Sequence, residues 1–320
     1  MNVCKICKNT TGNKSFIAHE MMFGYRDEFK YFECAKCGCV QIKEIPDDLS
    51  KYYPEDYYSF QSPYYLKENF LKYFLRRQRA KYCLNGKDII GMLLSRMYGM
   101  PKYYDWFKRA EIKFESKILD VGCGDGHLLS IMQRDGFSNL LGVDPFIIDN
   151  IFYESGIKIF KKDMSEIKQQ FDFIMLHHSF EHMPQPLSTF KQLFRLLIPN
   201  KYVLVRIPVA SSFAWRKYGV NWVQLDAPRH LFLHTIKSIQ ILAEQVNFQI
   251  SDIIFCSTEF QFWGSEQYLK DIPLKNSKSY SVNPQKSIFS KEQIESFKSK
   301  AIELNKKNDG DTACFFLYKT

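Results

Sequence analysis

No apolar run in these 320 residues approaches the roughly 18 needed for a helix to cross a bilayer, so no membrane-spanning helix is expected. The opening MNVCKICKNT lacks the apolar core of a secretory signal peptide, and a cytoplasmic chain is expected. Glycine and proline are sparse. With 15 and 12 copies they make up about 8% of the chain against roughly 12% in average usage, which excludes collagen-like and low-complexity classes. Hydrophobic residues at 45% and charged residues at 25% supply an ordinary globular core. The length allows two domains, or one large domain with an appendage.

Acidic residues are outnumbered 44 to 35, a net charge of +9, and the excess is uneven. Up to Ala110 there are 19 basic and 12 acidic residues. The segment FLKYFLRRQRAKY within Lys67 to Arg109 mixes positive charge with aromatics. Such a strip suits a solvated helix face, a nucleic-acid contact or the field that draws in an anionic small molecule.

Nine cysteines are an odd number, and a reducing compartment argues against a disulfide framework. Their placement says more. Cys4 and Cys7 form one C-x-x-C, Cys34 and Cys37 a second. Two tight knuckles turn four thiolates inward at tetrahedral angles around an ion such as zinc. Four protein ligands leave no open coordination position, so the site is expected to be structural, stapling a small N-terminal domain over 1–45. Cys39 is a spare or an alternative ligand.

Residues 46–110 read as a tyrosine-rich connector followed by a basic helical lid region. Tyr52, Tyr53, Tyr57, Tyr58, Tyr64 and Tyr65 either pack beneath the next domain or form a lid over a ligand. Helical patterning from Leu66 to Glu111 breaks near Asn85-Gly86 and from Gly99 to Pro101. From about residue 111 the period changes. Short apolar runs at Lys117 to Val121, Asn139 to Asp144, Lys158 to Phe160, Phe171 to Leu176, Tyr202 to Ile207, Ile250 to Cys256 and Thr312 to Tyr318 predict strands. Helical segments separate most of them, near Ser188 to Leu197, Thr235 to Asn247 and Ser290 to Asn305. Alternation of this kind predicts a doubly wound α/β sheet over 111–320, with ligands beyond the carboxyl ends of its strands.

The first of these strands exits into DVGCGDGH. Gly122, Gly124 and Gly126 permit backbone angles and close approach that side chains would block. A dinucleotide fingerprint needs its third glycine at the position of His127, and a P-loop needs Gly-Lys-Ser/Thr; neither is present. Asp144 closes the second strand, 22 residues after Gly122, the distance at which a carboxylate in this topology reaches a ribose diol. Asp163, just past the third strand, can accept from an adenine amino group, with Met164 against the ring. Three features at three successive strand ends point to an adenosyl ligand.

The segments ILDVGCGDGHLL, GVDP, KKDMSE and FDFIMLHHSFEHMPQP resemble the class I S-adenosylmethionine-dependent methyltransferases, in particular the small-molecule group with an EH signature after the fourth strand. WVQLDAPRHLFLHT is similar to the stretch preceding a later helix of that group. The paired C-x-x-C followed by YYPEDYY is similar to appendages of relatives that modify sugars of surface polysaccharides. The resemblance implies a Rossmann-like seven-stranded sheet with an antiparallel last strand, and S-adenosylmethionine as cofactor. It implies a cofactor site of Asp120, Gly122, Gly124, Gly126, Asp144, Pro145, Asp163 and Met164, with Asp120 at the methionine end and His178 flanking it.

An alcohol must lose a proton as it attacks a sulfonium methyl, and histidine suits that task. His182 and His230 are the acid-base candidates, with Glu181 as an orienting or ligand-binding carboxylate; His177 and His234 lie nearby in sequence. Arg229 could hold an anionic group by a forked contact or sit in a surface ion pair. The carboxylate set that holds magnesium in catechol-type enzymes is not recognisable, so no catalytic metal is expected. The expected reaction is methylation of a hydroxyl on a small polar acceptor, anionic or nucleotide-linked, such as a sugar in capsule or polysaccharide biosynthesis. The alternatives are an RNA methyltransferase, which the missing Asn/Asp-Pro-Pro-Tyr motif disfavours, and a non-catalytic cofactor-binding scaffold.

Overall fold

The computed structural model describes residues 2–54 and 69–320. Tyr57, Tyr58, Tyr64 and Tyr65 lie outside the described residues. The chain divides into two compact units.

One unit comprises Met1–Pro54, His178–Phe190 and Arg206–Phe315. Its N-terminal part is a four-stranded sheet: β1 (Lys14–His19), β2 (Glu28–Glu33) and β3 (Val40–Ile42) form an antiparallel meander. Pairing of β2 with β3 sets Phe32 opposite Gln41. The fourth strand comes from elsewhere in the sequence. Phe232 and Leu233 pair antiparallel with Gln41 and Val40, so the cysteine-rich head is completed by residues nearly two hundred positions downstream.

The other unit comprises Glu55–His177, Lys191–Val205 and Phe316–Thr320. It opens with three helices, α1 (Phe70–Asn85), α2 (Ile89–Tyr98) and α3 (Tyr103–Arg109). Their ends fall where the sequence predicts. Gly86 and Gly99 terminate α1 and α2 at φ +69° and +71°, a region L side chains rarely adopt. The side chains of Asn69 and Asp88 cap the two helices by accepting from Lys72 N and Gly91 N.

The parallel core of this unit is β4 (Lys117–Val121), β5 (Asn139–Val143), β7 (Lys158–Phe160) and β8 (Phe171–His177), with α4 (His127–Asp135) between β4 and β5. β4, β5 and β8 bury successive residues on both faces over most of their length, as covering helices require. A two-residue strand, β6 (Ile151–Phe152), hairpins antiparallel against β7 and adds an eighth member to the seven expected. The remaining strands are β9 (Leu197–Pro208), β11 (Phe248–Phe255) and β12 (Thr312–Lys319); the pair at Phe232–Leu233 is β10. The hydrogen-bonded order is β11-β12-β9-β8-β4-β5-β7-β6. The reversal on either side of β4, with the last strand inserted between β11 and β9, is the Rossmann-like arrangement of class I methyltransferases.

The helices α5 (Pro186–Leu196), α7 (Ile236–Glu244) and α9 (Lys291–Lys306) occupy the expected stretches. Thr235 and Ser290 cap α7 and α9 in capping boxes. Two further helices, α6 (Phe213–Tyr218) and α8 (Phe260–Leu269), were not legible. The second is buried almost all round, which erases the amphipathic period that would have announced it.

Candidate active site and metal centre

Parallel pairing sets Asp120 opposite Gly142 and Val121 opposite Val143, so Asp120 and Asp144 stand at adjacent carboxyl ends of the sheet. The loop that follows β4 folds back on Asp144. Gly124 N donates to Asp144 Oδ2 at 2.9 Å, and Phe146 N donates to Oδ1 at 2.9 Å across exposed Pro145. Gly122, Gly124 and Gly126 all have positive φ, +71°, +54° and +80°. A Cβ on Gly126 would stand 2.3 Å from Ile159 Cδ1, so the turn is closed to any side chain there.

Asp120 and Asp144 are both buried, and among the described residues no cation pairs with either. Burial, with Asp144 nearby, pushes the Asp120 carboxyl up to about 8; burial raises Asp144 too. Two desolvated acids at neighbouring strand ends are costly unless a ligand brings positive charge or hydroxyl donors. Asp144 has spent one lone pair of each oxygen on the loop and keeps the others, which is what a ribose diol requires. These residues therefore fit a cationic adenosyl cofactor. Asp163 is exposed and its Oδ1 caps a short 3-10 turn by accepting from Ser165 N at 2.9 Å; Met164 beside it is buried.

His178 belongs to the other unit, together with Glu181, His182 and His230. There a turn at His178 with φ +53° begins the EH segment, a left-handed conformation a non-glycine residue adopts only when its surroundings demand it. His178 N donates to Arg206 O at 2.8 Å, and its Nδ1 is 3.4 Å from Glu181 Oε1. Glu181 is completely buried, and His230 Nε2 lies 3.9 Å from the same oxygen. Burial alone would raise the Glu181 carboxyl, but the His178 contact and the imidazoles of His230 and His182 outweigh it and hold the group ionised.

The two imidazoles are oriented by the backbone. His182 Nδ1 is 2.8 Å from Arg229 O, and His230 Nδ1 is 2.7 Å from Gln224 O. A carbonyl only accepts, so each Nδ1 carries a proton and each Nε2 is the ring nitrogen turned away from the carbonyl. Tyr53 Oη, 3.0 Å away, also reaches His182 Nδ1. Burial lowers His182 to about 4, helped by His230 beside it, so this ring is neutral. Asp226 Oδ2 stands 3.8 Å from His230 Nε2.

Arg229 takes neither role expected of it. Its fully buried guanidinium donates Nε and Nη2 to Asp226 at 3.0 and 2.6 Å and Nη2 to Glu20 at 3.0 Å, so its fork is committed inside the protein. Glu20 gave no sequence signal, and Asp226 gave only its place in the WVQLDAPRHLFLHT stretch. His234 is a core histidine stacked on Phe180 with centroids 4.8 Å apart, and burial drops it to about 3. His177, at the end of β8, packs its ring against Trp106.

In the head, Cys4 Sγ lies 3.6 Å from Cys37 Sγ and Cys7 Sγ 3.5 Å from Cys34 Sγ. All four sulfurs fall within 4.8 Å of one another. A tetrahedron with Zn–S near 2.3 Å needs sulfurs roughly 3.8 Å apart, so the knuckles already have the spacing. They are built alike: Lys8 N donates to Cys4 O and Gly38 N to Cys34 O, and Lys8 and Gly38 have φ +60° and +72°. Gln41 Nε2 donates to Cys4 Sγ at 2.9 Å, and Thr235 Oγ1 donates to Cys37 O at 2.6 Å. Cys39 is buried beside His234 and is not one of the four. Glu181, His182 and His230 also bring ligand-type atoms within 4.8 Å of one another, a spacing that could hold a divalent ion.

The glycine turn, the paired acids and the strand order define a class I methyltransferase that uses S-adenosylmethionine. Residues 66–253 match the Methyltransferase domain family, and the chain belongs to it. Among curated relatives, the chain is 28% identical over 173 residues to the ubiquinone biosynthesis O-methyltransferase of Pseudomonas fluorescens (strain SBW25), covering 48% of this chain and 73% of that one. It is 30% identical to the protein of the same name from Klebsiella pneumoniae (strain 342), covering 41% and 60%. Among solved structures, a mycolic acid cyclopropane synthase complexed with SAH and CTAB is 16% identical with TM-score 0.46, over 79% of this chain and 99% of that one. An S-adenosylmethionine-dependent methyltransferase from Archaeoglobus fulgidus is 17% identical with TM-score 0.41, over 73% and 100%.

Proposed function

We propose that this methyltransferase acts on a hydroxyl of a small polar acceptor, and that the cluster around Glu181 removes the hydroxyl proton. The observation that carries the reading is the pair of backbone-fixed rings: His182 and His230 each hold a carbonyl through Nδ1 and turn Nε2 away from it, and burial keeps His182 neutral. S-adenosylmethionine supplies an electrophilic methyl group on sulfur. The chain supplies alignment and a proton acceptor. Asp144 and the glycine turn would hold the ribose, and Asp120 would meet the amino group of the methionine part. The imidazole pair takes the proton, and the resulting charge rests best on His230, whose Nε2 has carboxylates of both Glu181 and Asp226 within 4 Å. His182, kept neutral, orients the hydroxyl.

The acceptor class in this reading is a nucleotide-linked sugar or another glycoconjugate precursor, drawn in by the basic excess. The names of the curated relatives favour a second reading, an aromatic hydroxyl of a quinone precursor. The cysteine knuckles take a structural zinc in either case. The test is methyl transfer from labelled donor to a panel of sugar nucleotides and catechols, with His230→Ala and His182→Ala beside the parent chain. Loss of about 10²-fold or more in kcat for His230→Ala, with KM and donor affinity little changed, supports the base assignment. Unchanged kcat in both variants overturns it. An RNA acceptor would show itself by turnover that collapses between about 50 and 200 mM salt.

A further inference from the structure

Helix α2 is built inside out. Its buried positions are Gly91 and Ser95, one turn apart. A Cβ on Gly91 would stand 2.2 Å from Gln78 O and 2.6 Å from Tyr82 Cβ, so this small-residue face lies directly on α1, and Ser95 Oγ sits 3.6 Å from Cys83 Sγ. Two residues along a helix is about 200° around it. Ile89, Leu93 and Met97 accordingly point to solvent, with Ile89 77% and Met97 72% exposed. At the start of α1, Phe70 and Leu71 are exposed as well, Phe70 at 83%. A water-soluble helical pair ordinarily turns such residues inward, and a contiguous apolar patch left outside marks an interaction surface.

Charge selects the partner. From Phe70 to Lys102 the chain carries eight basic residues and a single acid, Asp88. That acid caps α2, accepting from Gly91 N at 2.7 Å. Lys72, Arg77, Lys87, Arg96 and Lys102 are exposed. A second copy of the chain would bring the same positive charges against them. An anionic bilayer surface instead offers opposite charge at the headgroups and an apolar layer a few ångströms beneath. No helix among the described residues is long and apolar enough to cross a membrane.

We infer that the α1–α2 hairpin docks this methyltransferase on anionic lipid surfaces, with Ile89, Leu93 and Met97 entering the interface and the flanking lysines and arginines contacting headgroups. The inference is independent of the acceptor proposed above. The test is co-sedimentation of the full chain with vesicles of phosphatidylcholine alone and with equal parts phosphatidylcholine and phosphatidylglycerol. Binding is expected on the mixed vesicles only, and should weaken as salt rises from about 0.1 to 0.5 M. Leu93→Asp/Met97→Asp and, separately, Lys87→Glu/Arg96→Glu should each lower the bound fraction about tenfold, with melting temperature and donor affinity unchanged. Equal partition onto both vesicle types, no partition at all, or variants that bind like the parent would overturn the inference. So would a parent chain that sediments as a dimer, is made monomeric by the aspartates and ignores vesicles.

Discussion

At the scale of single residues, the carboxylates of the glycine turn carry the sharpest expectations. Asp144→Ala removes the group that accepts from Gly124 N and Phe146 N as well as the ribose acceptor. It should weaken donor binding by about 10- to 100-fold, since hydrogen bonds to a charged group contribute about 1.5–3 kcal/mol each; titration calorimetry checks this. Asp120 rises to about 8 without ligand and must ionise to meet a cation, so binding at pH 7 should release a proton. Calorimetry in two buffers of different ionisation enthalpy should detect that release, and Asp120→Asn should abolish it. His234 offers a cleaner stability test. Its folded value, about 3, lies below the unfolded 6.5, so the unfolded chain binds the extra proton and stability falls as pH drops through 6.5. At pH 5 the deficit is about 2 kcal/mol by the 1.36 kcal/mol per unit rule. His234→Phe should therefore be more stable than the parent in denaturant at pH 5 and lose most of that advantage at pH 7.

Among the elements, the cysteine knuckles and the α1–α2 seam make opposite demands. The knuckles bring four sulfurs within 4.8 Å of one another, a set that a bound ion would staple. Chelation should raise amide exchange across Lys14–His19 and Glu28–Glu33 while donor affinity is retained; lost affinity would show that the head helps form the cofactor site. The seam depends on the absence of a side chain. Gly91→Ala places a methyl 2.2 Å from Gln78 O, and overpacking of this kind costs about 1–3 kcal/mol, read as a shifted denaturant midpoint. Apolar patterning made the seven strands legible, and caps or breaks at Asn, Asp, Ser, Thr or Gly marked α1, α2, α7 and α9. The strand at Phe232–Leu233 was invisible: two residues have no period, and its partner Gln41–Val40 is far away in sequence.

For the whole molecule, local chemistry and long-range assembly separate. Spacing alone pointed to the four thiolates, the glycine turn and the acid at Asp144, since each is a short-range device whose geometry follows from a few bonds of chain, whereas Asp120 followed from the family resemblance. The tertiary structure decided the rest of the chemistry. Arg229 became a buried tie between Glu20 and Asp226 instead of an anion fork, and Tyr53 came to rest on His182. Two histidines turned out to share a ring orientation because carbonyls of Arg229 and Gln224 face their Nδ1 atoms. Burial and hydrogen-bond direction depend on which distant segments fold together, and no window of sequence carries that information.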